Sequence, residues 1–448
     1  MKTSRRIQLC LIGSLVALGT LSGFAATTRY VRKDSPTPGT PFTSWDTAAH
    51  EIQTAVSASA AGDTILVADG VYTDSPNGTL DSSQVIITQN DLTLRSANGA
   101  DVTVIDGNYP NVTNRCVLVS GSRVTIDGFT LRNGMATNTA TPGAGLRMTQ
   151  RGSLLNSVVS NNHYTGGAYI SGNWGVGTAR VDKCVFYGNS STNAITECGG
   201  GLYIHQGIVT DSVFENNSAY RGGGVNCQYG VLVDGVEVAM ENCTIVGNTA
   251  IQWGGGLWLL DAVVRNTLIT SNRCDVTTIG GGGAYLQGAA TKTAFENCSI
   301  VRNFSKGPWS GAGTFVANGV TANFLNTIID LNSAGEWIFD GVGVNLQGTT
   351  SRVTLENCSL QRQTSDYSTT YMSTNAYCLY RVDNRFVDAA NGDFRLKSDS
   401  PCINAGANDT WMNKALDLDG KPRKDRFSNV VDIGAYEFAW AGITIVVR

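Results

Sequence analysis

The chain has 448 residues, a formal net charge of −4, and 52 glycines against only 9 prolines. With 42% hydrophobic residues, this composition is typical of many short strands and tight corners, and it excludes a disordered chain. The weakly acidic balance argues against a nucleic-acid partner, which would need a basic stripe. No apolar run reaches the roughly 18 residues of a membrane-spanning helix.

The first 25 residues predict a secretory signal peptide. Lys2, Arg5 and Arg6 supply the basic start, residues 9–18 form the apolar centre, and small residues precede a cleavage site after Ala25. We therefore expect a secreted or cell-surface protein, extracellular or at an outer membrane.

Residues 26–110 predict an N-terminal cap followed by the first coils of a repeat fold. Ser44 is expected to cap a short helix, and residues 64–67 form a strand. The helix would cover the open end of the fold, where an unpaired strand edge invites aggregation. Its apolar face would contain Ala48, Ile52, Ala55 and Val56.

Residues 111–378 contain a short sequence motif that ends in asparagine, which we call the asparagine phrase. It repeats at spacings of 27, 28, 31, 24, 31 and 29 residues. Periods of this size, combined with strand-like alternation, predict an all-β fold: a right-handed parallel β-helix, one coil per repeat. The asparagines should point inward and stack at one corner. A catalytic Asn is less favoured, because the chain has seven equivalents. They are Asn162, Asn189, Asn217, Asn248, Asn272, Asn303 and Asn332.

Alignment on these asparagines places several of the 11 cysteines in one inward column. The column contains Ser157, Cys184, Ser212, Cys243, Thr267, Cys298, Thr327 and Cys358. Two cysteines separated by two coils lie ~9.6 Å apart, beyond the ~7 Å limit for a disulfide, so they should be buried and unbridged. Cys378 and Cys402 lie outside this column, and whether they pair stays open.

Strand alternation also predicts two outward columns, which we call the aromatic column and the polar row. The aromatic column contains Arg147, Tyr169, Tyr203, Asn226, Trp258, Tyr285, Phe315 and Asn345, and five of these eight are aromatic in a chain that is 8% aromatic. The polar row contains Thr149, Ser171, His205, Gln228, Leu260, Gln287, Ala317 and Gln347.

Rings beside amides suit a long glycan, because sugar rings stack on aromatic faces and Gln or His bonds their hydroxyls. The predicted contacts are Tyr169, Tyr203, Asn226, Trp258, Tyr285, Phe315, Gln228 and Gln287. The alternative is that the rings stack along the solenoid and stiffen it, or are covered by loops. A second, less regular aromatic set contains Tyr164, Tyr220, Trp253 and Trp309.

Candidates for catalysis are few. A glycosidase needs two carboxylates that face one bond, and neither outward column contains Asp or Glu. A lyase needs a base and often Ca²⁺; Arg147, His205 and Lys183 are the candidates for the base. Asp417 and Asp419 could hold a cation, although an Asp-Gly turn explains them equally well. Neither a zinc pattern nor a phosphate loop is present, and no cofactor is expected.

Residues 379–448 break the period and predict a C-terminal cap or anchor-like region. We expect a monomer.

Several passages carry a resemblance to known families. Residues 62–72, 104–107 and 124–131 resemble the right-handed parallel β-helix superfamily typified by pectate lyases. Residues 214–224 are similar to the repeats of polymorphic outer-membrane proteins, and residues 393–437 look like the choice-of-anchor region of bacterial surface proteins. The resemblance implies an adhesin-like protein that binds a polysaccharide or a partner surface; a polysaccharide lyase or glycoside hydrolase is the alternative.

Overall fold

The computed structural model describes residues 26–73, 82–138, 140–172, 178–192, 199–233, 236–288, 293–307, 310–335, 343–347, 350–361 and 372–439. The predicted signal peptide (residues 1–25) and Trp309 lie outside these ranges. The chain folds into an all-β, right-handed parallel solenoid. Within the described ranges, no helix has the length and apolar character needed to cross a membrane.

Three long sheets run along the solenoid. The 14-stranded sheet contains β1 (Thr28–Val31), β2 (Thr64–Val67), β5 (Thr93–Ser96), β8 (Val124–Asp127), β11 (Gly152–Leu155), β14 (Ala179–Asp182), β17 (Gly207–Thr210), β21 (Val231–Val233), β22 (Val236–Glu241), β26 (Val263–Arg265), β30 (Thr293–Glu296), β34 (Thr321–Leu325), β38 (Arg352–Glu356) and β40 (Met372–Ala376). The 12-stranded sheet contains β3 (Gly70–Tyr72), β6 (Thr103–Asp106), β9 (Thr130–Arg132), β12 (Val158–Ser160), β15 (Val185–Tyr187), β18 (Val213–Glu215), β23 (Thr244–Val246), β27 (Leu268–Thr270), β31 (Ser299–Val301), β35 (Ile328–Asp330), β39 (Ser359–Leu360) and β41 (Leu379–Tyr380). The ten-stranded sheet contains β4 (Ser82–Ile87), β7 (Asn114–Val119), β10 (Leu146–Met148), β13 (Ala168–Ser171), β16 (Leu202–His205), β20 (Val225–Gln228), β25 (Leu257–Leu260), β29 (Ala284–Gln287), β33 (Thr314–Val316) and β37 (Val344–Leu346).

The remaining elements are shorter. A five-stranded sheet contains β19 (Ser218–Arg221), β24 (Thr249–Trp253), β28 (Arg273–Cys274), β32 (Phe304–Ser305) and β36 (Ser333–Ala334). A hairpin near the C-terminus pairs β42 (Phe386–Asp388) with β43 (Asp393–Leu396). The helices are α1 (Ile52–Ser57) and 3₁₀ turns at Ala389–Asn391 and Trp411–Asn413.

Because side chains alternate between the two faces of each strand, every second residue points into the interior of the coils. In β16, Leu202 and Ile204 point inward and are fully buried, and successive coils bring like residues into register. Phe186 and Phe214 stack on neighbouring rungs with ring centroids 4.7 Å apart. Burial of each such side chain contributes about 1.5–3 kcal/mol, so stability accumulates coil by coil.

The stacked asparagine ladder is confirmed. Asn248 shows its pattern: the backbone N–H and Nδ2 donate to Oδ1 of Asn272 at 3.0 and 2.9 Å. The same Nδ2 donates to the carbonyl oxygen of Phe214 at 2.9 Å. All seven asparagines are at most 1% exposed. The ladder ends at Gln361, whose Oε1 accepts the N–H of Asn332 at 3.1 Å. These side chains satisfy buried corner backbone, which is a structural role.

The inward column of small residues is also confirmed, since Cys184, Cys243, Cys298 and Cys358 are buried free thiols. The placement of Cys378 outside the column is wrong. Strands β39 and β41 pair with Ser359 opposite Leu379, so Cys378 occupies the rung after Cys358.

Pairing of Cys378 with Cys402 is not observed. Both are free thiols, and Cys402 lies in a separate cluster, where its Sγ donates to Oδ1 of Asn384 at 3.1 Å. The period of the asparagine phrase ends before residue 378, so alignment on asparagine did not reach this rung.

The N-terminal helix is shorter than predicted. It begins at Ile52, and Ser44 instead accepts a hydrogen bond from the N–H of Thr47, at 3.2 Å, in a preceding turn. Gln53 on this helix contacts β4, the edge strand at the N-terminal end of the ten-stranded sheet. Its Oε1 accepts the N–H of Ile86 at 2.7 Å, and its Nε2 donates to the Ile86 carbonyl oxygen at 3.3 Å. A side-chain amide thus occupies the place of a neighbouring strand.

The C-terminal region packs along the flank of the solenoid, against the 12-stranded sheet. Leu268, Val301 and Ile328 on this sheet form a second hydrophobic cluster with Phe394 and Ile433.

A second column of asparagines, at another corner of the solenoid, forms hydrogen bonds with the C-terminal region. Each of its members has a φ between 46° and 51° and donates its side-chain amide to a carbonyl of the C-terminal region. The pairs are Asn266 with Leu416 (2.8 Å), Asn297 with Asp432 (3.3 Å), Asn326 with Ala407 (2.8 Å) and Asn357 with Ala405 (2.9 Å).

Candidate functional site

The outer face of the ten-stranded sheet carries both predicted columns in register. Tyr169 lies opposite Tyr203, and Trp258 lies opposite Tyr285. The polar row aligns in the same way, with His205 opposite Gln228. Because neighbouring rungs are ~4.8 Å apart, this face offers a regular array of side chains along the solenoid axis.

The aromatic column is buried, so the predicted exposed platform is wrong for most of its members. Tyr203, Trp258 and Tyr285 are 3, 5 and 4% exposed, and both Asn226 and Phe315 are also buried. Burial raises the pKa of Tyr285 to about 12. The rings stack along the axis, the alternative that the sequence left open.

Four rings of the column form two short stacks. Tyr169, which is half-buried, stacks on Tyr203 with centroids 4.8 Å apart and planes 4° apart. Tyr285 stacks on Phe315 at 5.3 Å and 13°. The guanidinium of Arg147 lies 4.7 Å from the centre of the Tyr169 ring, which closes one end of the first stack.

The second stack is covered by the neighbouring five-stranded sheet. Trp253, at the end of β24, lies on the Tyr285 ring with centroids 5.0 Å apart. The guanidinium of Arg221 lies 4.0 Å from the Trp253 ring centre and donates through Nε to Oε1 of Gln252 at 2.8 Å. Partial burial lowers the pKa of Arg221. Strand alternation gives the direction of a side chain, but it does not show what a neighbouring segment lays over it.

The polar row keeps partial contact with solvent. Ser171, His205, Gln228 and Gln287 are half-buried. Oε1 of Gln287 is buried and has no hydrogen-bond partner in the described part of the chain. The row therefore presents amide and imidazole groups for hydrogen bonds to a ligand.

Three residues of this face were not predicted as part of it. Tyr229 and Asp261 directly follow β20 and β25, with φ of 59° and 52°, where the alternation stops. The ring of Tyr229 meets His205 edge-on at 5.5 Å. Arg221 ends β19 of the five-stranded sheet, and alternation within one strand does not show that it lies against Trp253 on the next coil. Tyr229 and Asp261 could have been located from the sequence by the turn that follows each of these strands.

The three candidate bases are not brought together. Arg147 lies in β10 and His205 in β16, two coils further along. Lys183 is exposed at the corner between β14 and β15, strands of the other two long sheets. No shared catalytic centre is formed by these three residues.

The metal prediction is not supported at Asp417. This residue is 2% exposed, and its Oδ1 accepts the N–H groups of Asp419 and Lys421 at 3.0 and 2.7 Å. Its Oδ2 accepts the N–H of Glu437 at 2.7 Å, while Asp419 forms an ion pair with Lys421 at 3.4 Å. These bonds match the turn alternative. Across the described ranges, no group of three His, Cys, Asp or Glu residues is placed to hold a metal.

A cavity of about 420 Å³ lies where the C-terminal region meets the flank. Its lining includes Asp211, Asn242 and Thr244 from the solenoid and Tyr436 from the C-terminal region. Asn242 donates to Oδ1 of Asp211 at 3.2 Å. The cavity is concave and has a mixed polar and apolar lining, so it is a second place where a small ligand could sit.

Comparison with known proteins adds information about the fold. No protein-family model matches the chain, and no curated protein matches it either. Among solved structures, it is similar to "the complex structure of XylC with xylose", at 9% identity and a TM-score of 0.50, over 93% of this chain and 99% of that one. It is also similar to the pectate lyase Pel9A, at 16% identity and a TM-score of 0.45, over 93% and 97% of the two chains. A rhamnogalacturonan lyase matches at 13% identity and a TM-score of 0.40, over 87% and 98%. At 9% identity and a TM-score of 0.50, the likeness to the xylose complex shows a shared fold and nothing further.

Proposed function

We propose that this chain is a secreted or cell-surface protein, monomeric and adhesin-like, that binds a polysaccharide along the outer face of its ten-stranded sheet. The observation that carries the proposal is the half-buried polar row: Ser171, His205 and Gln228 lie on three successive coils, and Gln287 follows one coil after Leu260. Such a row can bond the hydroxyls of a chain that runs along the axis.

Aromatic rings beside the polar row support polysaccharide binding at this face, although they are mostly not the rings of the aromatic column. Tyr169, Tyr220, Tyr229 and Trp253 are half-buried, so part of each ring faces solvent beside the row. Stacking partners and the guanidinium groups of Arg147 and Arg221 cover the faces of Tyr169 and Trp253, so a sugar would contact their exposed ring edges. The buried members of the aromatic column therefore act as support, while these half-buried rings are the proposed contact surface.

Two further observations agree with this proposal. Oε1 of Gln287 is buried and has no hydrogen-bond partner within the described ranges, and buried polar atoms are normally paired. One solved structure similar to this chain, at a TM-score of 0.50, is a complex with xylose. The finer resemblances, to pectate lyases, to outer-membrane repeats and to choice-of-anchor regions, remain part of the proposal.

The test is a glycan array with residues 26–448, followed by titration calorimetry with the best-binding oligosaccharide. Gln228→Ala and His205→Ala should each weaken binding about 2- to 10-fold, since one net hydrogen bond contributes about 0.5–1.5 kcal/mol. Lys183→Ala, exposed on another corner, is the matched control and should bind like wild type.

Wild-type affinity in both polar-row variants would overturn the assigned face. Loss of affinity only in Tyr436→Phe would move the site to the flank cavity. Release of unsaturated or reducing products from the bound glycan would replace the adhesin-like function with that of a lyase or a hydrolase.

A further inference from the structure

The last two rungs of the inward column both carry cysteine. Elsewhere in the column, from Cys184 to Cys358, each cysteine alternates with serine or threonine. At the C-terminal end, Cys378 occupies the rung directly after Cys358. In-register neighbours in a parallel sheet have Cα atoms ~4.8 Å apart, inside the ~4.4–6.8 Å range that a disulfide spans.

The hydrogen bonds place the two thiols in the same column. The backbone N–H of Cys358 donates to Sγ of Cys378 at 3.4 Å, as the N–H of Cys184 donates to Oγ of Ser212 at 3.0 Å. The Sγ of Cys358 donates to the Phe324 carbonyl oxygen and is fully buried. Cys378 is half-buried on β41's rung, the last of the 12-stranded sheet, so an oxidant can approach it from the end of the coil.

We propose that Cys358 and Cys378 form a redox-sensitive pair that closes into a disulfide and staples the last coil to the solenoid. The co-reactant is a small disulfide oxidant of the glutathione class. The Cys378 thiolate attacks it, forms a mixed disulfide and releases one glutathione thiolate. The Cys358 thiol then loses its proton and displaces the second glutathione thiolate, forming the protein disulfide. Two protein thiols are oxidised, and one glutathione disulfide is reduced to two glutathione molecules.

The order of attack follows from the surroundings of each sulfur. Hydrogen bonds from the side chain and from the backbone N–H of Cys358 lower the pKa of Cys378 to about 7, whereas burial raises the pKa of Cys358 above its usual value. Cys378 is therefore largely a thiolate above pH 7 and reacts first. The other cysteines of the column lack a cysteine on the neighbouring rung and should stay reduced.

Peptide mapping tests the pair directly. Trypsin cleaves after Arg352, Arg362 and Arg381, so Cys358 and Cys378 fall on different peptides. After folded protein is incubated with oxidised glutathione and alkylated without reduction, these two peptides should be linked, with the loss of two hydrogen atoms. In Cys358→Ser, Cys378 should instead retain one glutathione, and its modification rate should rise between pH 6 and pH 8. The oxidised wild type should melt at a higher temperature than Cys378→Ser.

Absence of this cross-link in folded, glutathione-treated protein would overturn the proposal. So would a link from Cys378 to Cys402, or glutathione that stays on Cys378 in wild type. Cys298→Ser is the matched control, because it removes a buried column thiol two rungs from Cys358 and should leave the cross-link intact.

Discussion

Replacing Trp258 by alanine should destabilise the solenoid, because its ring is 5% exposed and lies between Asn226 and Tyr285 on the neighbouring coils. A buried tryptophan removes about 200 Å² from water, and at ~25 cal/mol per Å² this contributes about 5 kcal/mol. A compact unfolded chain reduces that figure by about a third. Removal of the unpaired indole N–H returns about 1 kcal/mol. The expected net loss is therefore about 2–3 kcal/mol.

Guanidinium denaturation of wild type and variant measures this loss as a shift in the unfolding midpoint. Trp258→Phe is the matched control: it keeps an aromatic ring in the buried position and removes the unpaired N–H, so it should cost less than half as much. Glycan affinity should change little in either variant, because the ring does not face solvent. Unchanged stability with a large loss of affinity in Trp258→Ala would show that the ring is exposed in solution, and it would refute the burial argument.

Three further perturbations follow from the hydrogen bonds. Asn248→Ala removes the side-chain bonds to Asn217, Phe214 and Asn272, and it should cost about 3–5 kcal/mol in chemical denaturation; Asn216→Gly, exposed and with a φ of 53°, should be close to neutral. Burial opposes ionisation of Asp63, but N–H donors from Ala60 and Thr27 and the Arg29 guanidinium outweigh it, so its pKa lies below the usual value. That stabilisation is present above the unfolded pKa of ~3.9 and is lost as the pH falls through the lower folded value. Hydrogen-exchange protection factors at residues 27–31, which correct for the intrinsic exchange rate, should therefore fall in acid, and Asp63→Asn should show lower protection already at pH 7. Gln53→Ala exposes the β4 edge, so light scattering on storage should rise while the melting temperature changes little.

Much of the fold could be predicted because it repeats. Asn248 and Asn272 recur at a spacing that fixes one coil, and each coil then predicts the next. The inward thiols follow from the same alignment, since a position two coils away must lie ~9.6 Å away. Local alternation and a fixed period are sufficient when each contact is made with a neighbouring rung.

The candidate site was harder to predict, because it depends on contacts between segments with different periods. Alternation correctly gave the register of Trp258 and Tyr285, but Trp253 covers Tyr285 from another sheet. The flank packing of the C-terminal region depends on Asn326 and Ala407, which are 81 residues apart. Such pairings leave no periodic trace in one sequence. Cys378 was missed for a related reason, since its rung lies beyond the last asparagine of the ladder.

The central claim is that a polysaccharide lies along the polar row, and a crystal structure of residues 26–448 with the best-binding oligosaccharide tests it most directly. The account predicts sugar units on the outer face of the ten-stranded sheet, with hydroxyls within hydrogen-bond distance of His205, Gln228 and Gln287 and a ring against Tyr229 or Trp253. An oligosaccharide seated in the flank cavity beside Tyr436, or on another sheet of the solenoid, would contradict it.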